Sequence, residues 1–291
     1  MNYHTPVLIN AVLEILDPAP GKKYIDATLG GGGHTTEILK REAKVLGLDR
    51  DQEAVDHVSK YQVSSIKKGI LTVVKANFNQ IEEIAKEKGF GQADGVLFDL
   101  GVSSHQLDKA ERGFSFQKEG ALDMRMDRDL PILASDIINN FEERRIDEII
   151  QTYGQEKFSR SIARAINIAR QIKPIETTTK LTEIIQEVYR KKNQKQKLNP
   201  ATRTFQALRI VVNSEILNLE ESMPQTTKIL KKGGRLVAIS YHSLEDREVK
   251  RFFKTSQNLR VLTKKPIGPQ PSEIMQNPRS RSAKLRAAEK L

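Results

Sequence analysis

Two carboxylates and a run of glycines mark the part of this sequence best equipped for chemistry. Asp26-Ala27-Thr28-Leu29 leads into Gly30, Gly31, Gly32, Gly33 and His34, and Asp49 follows 23 positions after Asp26. Glycines at such a turn let the backbone pass close beneath a ligand and take up positive φ. A carboxylate at Asp49 can accept two hydrogen bonds from the ribose hydroxyls of an adenosine group. Asn77-Phe78 either sets an aromatic ring beside the adenine or simply packs. A dinucleotide is the sharper rival, but its G-x-G-x-x-G spacing fails, because the closing position is Thr35 counted from Gly30 and Thr36 counted from Gly31. An acidic first segment without a pyrophosphate fingerprint fits S-adenosylmethionine better than NAD.

The second chemical feature is Phe98-Asp99-Leu100-Gly101-Val102-Ser103-Ser104-His105-Gln106. Asp99 stands where a carboxylate reaches both the methionine end of such a cofactor and an incoming base. Methyl transfer from a sulfonium is an in-line displacement, and alignment supplies much of its rate. If the acceptor is an exocyclic amine, its lone pair is delocalised into the ring. A carboxylate accepting its N–H would raise its nucleophilicity, which makes Asp99 the candidate catalytic residue. Rival chemistries are poorly supplied. The Gly101–Ser104 stretch lacks the second glycine of a nucleophile elbow. The five histidines (His4, His34, His57, His105, His242) show no metal-ligand spacing, and with no cysteine there is neither a thiolate site nor a disulfide. No catalytic metal is expected. Asp99 is not followed by the diprolyl–aromatic box of many DNA amino-methyltransferases, which disfavours DNA.

These residues need elements to hold them. Tyr24–Thr28, Val45–Asp49, Leu71–Val74 and Gly95–Leu100 read as strands separated by helical stretches, the pattern of a parallel sheet covered on both faces. In such a sheet a nucleotide-type ligand binds at the carboxyl ends of the strands, at the switch point. The next strand is Arg235–Ser240, and 134 positions separate Leu100 from Gly234. A crossover needs only a loop and one helix, so the surplus is an insertion. Its apolar spacing predicts helices over 135–150, 156–172, 177–192 and 201–219. The expected fold is α/β: a Rossmann-like class I methyltransferase sheet from residues 1–105 and 205–291, with an all-helical, substrate-binding domain at 106–204. Residues 191–197 (KKNQKQK) read as a basic linker, and the Pro-rich, basic tail after Lys265 as only partly ordered on its own.

Charge points to the partner. The net +11 is concentrated: residues 157–210 carry +10 and 251–291 carry +8, while 1–100 and 101–156 carry −2 and −5. Two cationic blocks suit a polyanion better than a merely solubilising surface. No apolar run is long enough for a bilayer, and the N-terminal residues lack the features of a signal or transit peptide, so the expectation is a cytoplasmic protein with no membrane partner.

Motifs along the whole chain complete this reading. They include His4-Thr5-Pro6-Val7-Leu8, Asp26–His34, Gly47-Leu48-Asp49-Arg50-Asp51, Asp99-Leu100-Gly101-Val102-Ser103-Ser104 and Gln106-Leu107-Asp108. Glu111-Arg112-Gly113-Phe114-Ser115-Phe116 and Leu122-Asp123-Met124-Arg125-Met126-Asp127 follow, then the run from Asn199 to Ile210, His242-Ser243-Leu244-Glu245-Asp246-Arg247, and Asn277-Pro278-Arg279-Ser280-Arg281-Ser282. In this set and order the chain closely resembles the RsmH (MraW) family, bacterial methyltransferases that modify the N4 of a cytidine in the decoding region of 16S ribosomal RNA. The resemblance implies cofactor contacts at Gly32, Gly33, His34, Asp49, Phe78, Asp99 and Gln106. It also implies 16S rRNA in the small subunit as partner. Thr35 departs from the serine expected after Gly-Gly-His. A monomer or weak homodimer is expected.

For the substrate side the residues leave alternatives open. Either Arg112–Phe116 dock the insertion on the sheet, or Phe114 or Phe116 stacks on an unpaired base. His242 and Asp246 either line the pocket or cap the next helix. Arg203, Arg209, Arg279, Arg281 and Arg286 suit phosphate better than base contacts.

Overall fold

The computed structural model describes residues 6–194 and 199–291. His4 and Thr5 of the first motif and residues 195–197 of the basic linker lie outside the described residues.

Seven strands form one sheet: β1 (Lys23–Asp26), β2 (Lys44–Asp49), β3 (Leu71–Lys75), β4 (Ala93–Asp99), β5 (Leu230–Ser240), β6 (Leu259–Val261) and β7 (Lys284–Lys290), in the order β3-β2-β1-β4-β5-β7-β6. β7 alone runs antiparallel to its neighbours. Alternation on each strand feeds two cores. Ile25, Val96, Phe98, Leu236 and Ala238 pack on one face, and Tyr24, Leu97, Val237 and Ile239 on the other. Both faces are therefore covered, as a parallel sheet requires. Each such large side chain contributes about 1.5–3 kcal/mol.

The helices that cover the first half are α1 (Ile9–Leu16), α2 (Gly33–Leu39), α3 (Gln52–Tyr61), α4 (Val63–Lys67) and α5 (Ile81–Glu87). Then come α6 (Ser104–Asp108), α7 (Ala134–Asn140), α8 (Glu143–Gly154), α9 (Ser159–Ile172), α10 (Thr178–Lys191) and α11 (Thr202–Val212), followed by α12 (Glu215–Ile229), α13 (Ser243–Thr255) and α14 (Pro271–Gln276). None of the described helices is long and apolar enough to cross a membrane.

The chain divides into two compact units, residues 1–103 with 216–291, and residues 104–215. The helical unit thus extends past the expected boundary at 204/205, because α11 packs on α8. A Cβ at Gly154 would lie 2.6 Å from the Arg203 carbonyl oxygen, so glycine is what permits that close crossing.

Three other expectations need revision. The helix expected over 135–150 is two, parted where Phe141 and Glu142 turn extended. The one expected over 201–219 breaks at Asn213 and Ser214, where Ser214 has φ 49°. There the Asn213 amide accepts from the Met126 N–H (2.7 Å) and donates to the Met124 carbonyl (2.7 Å), tying the turn to residues 124–126. Finally, the tail is built into the sheet. β7 buries Leu285, Ala287 and Ala288 between β5 and β6, and Glu273 of α14 accepts the Leu8 N–H at 2.7 Å.

Candidate active site

The sheet reverses direction of growth between β1 and β4, and the chemically equipped residues collect at the carboxyl ends of the strands around that point. After β1 the chain turns through Gly30 (φ 49°) and Gly32 (φ 74°) before α2 begins at Gly33. A Cβ on Gly32 would approach Val58 to 3.0 Å, so both conformation and space call for glycine. In β2, a Cβ at Gly47 would come within 2.7 Å of Leu29, which lets the glycine loop lie against the neighbouring strand.

Asp49 closes β2. One of its oxygens accepts the Gly30 N–H at 2.7 Å and the other the Asp51 N–H at 2.8 Å. Burial pushes its carboxyl up to about 6, against the downward pull of those two amides. Asp26 is buried, takes the Thr35 hydroxyl at 2.7 Å and the Thr28 N–H at 3.3 Å, and so ties β1 to α2. Burial raises its pKa, while His34 and the Thr35 bond oppose the shift. Threonine at position 35 therefore still supplies the hydroxyl that a serine would. Phe78 begins a short 3-10 turn beyond β3 and stands edge-on to Phe98, ring centroids 5.5 Å apart.

Asp99 closes β4. Its N–H donates to the Thr28 hydroxyl at 2.6 Å, which fixes the strand end beside β1. The Tyr241 hydroxyl donates to Asp99 Oδ1 at 2.9 Å. Burial and the adjacent carboxylate hold Tyr241 well above the ordinary phenol range, so it remains a donor. His34 Nδ1 lies 3.6 Å from Asp99 Oδ2, and His34 Nε2 is 3.0 Å from the Val7 carbonyl. A carbonyl only accepts, so Nε2 carries a proton. Tyr241 and Thr28 were not singled out in the sequence. The β4–β5 register, Asp99 opposite Ile239, is the signal that locates Tyr241 just beyond β5.

Gly32, Gly33, His34, Asp49, Phe78 and Asp99 thus belong to the sheet unit, and Gln106, buried in α6, to the helical one. Among the residues considered for substrate, several are engaged inside the fold. Arg112 is buried, its guanidinium donating to the Arg125 and Met126 carbonyls (3.1 and 2.8 Å), and Phe114 is buried beneath it. Arg209 grips Glu215 with two bonds (2.8 and 2.9 Å). Phe116 is half-buried, edge-on to Phe205 at 5.3 Å. His242 caps α13, its Nδ1 accepting the Glu245 N–H at 3.4 Å, and Asp246 pairs with Arg286 at 2.7 Å. Arg203 keeps half its side chain exposed, and Arg279 and Arg281 are exposed on the 3-10 turn after α14.

Strand order and the acid-rimmed glycine turn define a class I, S-adenosylmethionine-dependent methyltransferase. The family model for the MraW methylase family matches residues 1–291, and the chain belongs to that family. It is 45% identical to ribosomal RNA small subunit methyltransferase H of Carboxydothermus hydrogenoformans, covering 99% of this chain and 98% of that one. The protein of the same name from Deinococcus deserti is 47% identical, covering 99% and 93%. A solved rRNA methylase from Streptococcus thermophilus aligns over 97% of this chain and 93% of its own at 11% identity and TM-score 0.46.

Proposed function

We propose that this methyltransferase modifies the N4 amine of a cytidine in the decoding region of 16S ribosomal RNA. The observation that carries the reading is that the whole chain, insertion included, aligns with relatives named for the small-subunit RNA. The crevice fits the cofactor: Gly30 and Gly32 turn the chain tightly at positive φ, and Asp49 presents a half-buried carboxylate already oriented by two amides. Gly32, Gly33, His34, Asp49, Phe78, Asp99 and Gln106 are the proposed contacts. Bound there, S-adenosylmethionine supplies a methyl carbon attached to a cationic sulfur.

Asp99 is the proposed catalytic residue. Tyr241 holds Oδ1, which sets the carboxylate plane and presents Oδ2 toward His34. Accepting an N–H from the cytosine amine, that carboxylate opposes delocalisation of the nitrogen lone pair into the ring. It also receives the proton that the amine sheds once it has been alkylated. The cytidine must be unstacked to reach it. Arg203, Arg279 and Arg281 are the proposed phosphate contacts, with Phe116 and His242 retained as substrate-side candidates. Arg112, Phe114 and Arg209 are better assigned to the architecture. The missing diprolyl box after Asp99 favours RNA over DNA, and the phosphate contacts imply binding that weakens steeply with salt.

Mass spectrometry of small-subunit RNA nucleosides from cells with and without the protein tests this. Loss of N4-methylated cytidine is the expected result, with its decoding-region position read from the masses of RNase fragments; an unchanged nucleoside profile would remove the assignment.

A further inference from the structure

The helical unit carries a feature that methyl transfer does not use. α9 has two apolar faces. Ile162, Ala163 and Ile166 point into the unit's interior. A second stripe, Ala165, Ile168, Ala169 and Ile172, follows the same helical spacing on the other side. Ile168 is 54% exposed and Ile172 86% exposed. α10 runs alongside and adds Ile184 and Val188, so the two helices enclose a groove of about 760 Å³. Alanines at 165 and 169 keep its floor low, which suits the close approach of a third helix.

The charges around the groove are uneven. Phe158, at the start of α9, meets Tyr189 and Lys192 at the end of α10, so the two helices are antiparallel. That arrangement gathers Arg164, Lys191 and Lys192 at one end. The two groove carboxylates are already matched by cations of α10: Glu183 lies 3.5 Å from Lys180, and Glu187 lies 2.6 Å from Arg190 and 3.6 Å from Lys191. The end near Arg164 is left with positive charge in excess.

We propose that this groove docks an amphipathic helix of a protein partner, apolar along one stripe and acidic at the end lying over Arg164, Lys191 and Lys192. Helix-in-groove recognition reads anchors at i, i+3/i+4 and i+7 spacing, and the α9 stripe offers the complementary row. Aliphatic walls favour this occupant over an RNA base, which needs a planar partner for stacking. The proposal is independent of the assignment of the methylated nucleotide.

The test uses the full-length protein and a fluorescein-labelled designed peptide as long as α9, with a leucine stripe and glutamates at one end. A twin peptide carries lysines in their place. Anisotropy should show saturable binding of the acidic peptide, weakened about tenfold or more by I168E/I172E. The double reversal R164E/K191E should transfer the preference to the lysine twin. All four positions are exposed or lie on the rim, and unchanged circular dichroism and melting exclude misfolding. Absence of saturable binding, or binding indifferent to I168E/I172E, overturns the proposal. So does a wild-type dimer that I168E/I172E converts to monomer, which would give the groove to a second copy. Equal loss of affinity for a 16S RNA fragment in I168E/I172E would give it to RNA.

Discussion

The strand-end crevice and the α9–α10 face both concentrate charge, but they do so in opposite ways. In the crevice the carboxylates of buried Asp26 and half-buried Asp49 are bonded to nearby amides or hydroxyls, and desolvation raises both pKa values. On the helical face the cations of Arg164, Lys191 and Lys192 gather at one end of a stripe of isoleucines left in solvent. The first arrangement suits a small polar ligand, because its groups are oriented before anything binds and need little reorganisation. The second suits a large partner that brings its own surface and desolvates many weak contacts together. One protein thus separates positioning of the reacting group from capture of macromolecules.

The harshest test of the crevice is Asp99→Ala. If its carboxylate activates the amine, turnover at saturating cofactor should fall by about a hundredfold or more. Melting should find the fold retained, while calorimetry should find cofactor binding weakened by the lost contact, which is why turnover is compared at saturating cofactor. Asp99→Asn keeps an acceptor for the Tyr241 hydroxyl but loses the charge, and should be nearly as slow. Near-normal rates in both variants would leave the crevice with binding residues only.

On the helical side the contrast is between two arginines of α11. Arg209 grips buried Glu215 with two bonds, whereas Arg203 keeps half its side chain in solvent and donates to the Gln155 carbonyl. Arg209→Met should cost about 3 kcal/mol in denaturant unfolding, because it takes the guanidinium from a buried carboxylate. Arg203→Met should change stability by less than about 1 kcal/mol and instead lower RNA affinity and its salt slope. A reversal of these two outcomes would mean that burial is a poor guide to role in this unit.

That contrast also shows how far the sequence is legible. Asp49 could be placed at a strand end because an apolar run stops there, whereas Ala27 and Leu100 prolong the apolar pattern past Asp26 and Asp99, where the structure ends the strands. The glycine turn was readable because glycine takes up positive φ without the strain a Cβ brings, and a run of four signals such a turn. Arg112 and Arg209 were not separable from Arg203, since a guanidinium bonded to carbonyls and one facing phosphate have the same local sequence signature. β7 was missed for a related reason. Lys284-Leu285-Arg286-Ala287-Ala288-Glu289-Lys290 has no β-branched residue, and tertiary pairing with β5 and β6 overrides that weak propensity. Periodicity also ran straight through Asn213, because a turn of one or two residues preserves the apolar count while redirecting the helix.

A milder probe of the crevice is pH. Burial pushes the Asp49 carboxyl up to about 6 in the ligand-free protein, and in the proposed binding mode ribose hydroxyls donate to its ionised form. Cofactor affinity measured by calorimetry should therefore be flat above that pH and fall by up to about tenfold per unit below it. Stability of the ligand-free fold moves the other way for this group. A carboxyl with a raised folded pKa binds its proton better when folded, so its contribution favours folding at low pH and is lost as pH rises through about 6. Asp49→Asn should abolish the acid limb of the affinity profile. An unchanged limb would assign the titration to another group.

The smallest expected effect separates Asp99 from the residue that orients it. Tyr241→Phe keeps the ring, which packs 3.4 Å from where a Cβ on Gly101 would lie, and deletes only the hydroxyl bonded to Asp99 Oδ1. A donor to a charged carboxylate contributes about 1.5–3 kcal/mol, but the Asp99 backbone is also fixed by its N–H bond to the Thr28 hydroxyl, which limits the loss of orientation. The expected result is a fall in kcat of about threefold to tenfold with KM for RNA unchanged. A merely structural role for Tyr241 would instead lower the melting temperature and leave kcat at saturating substrates where it was.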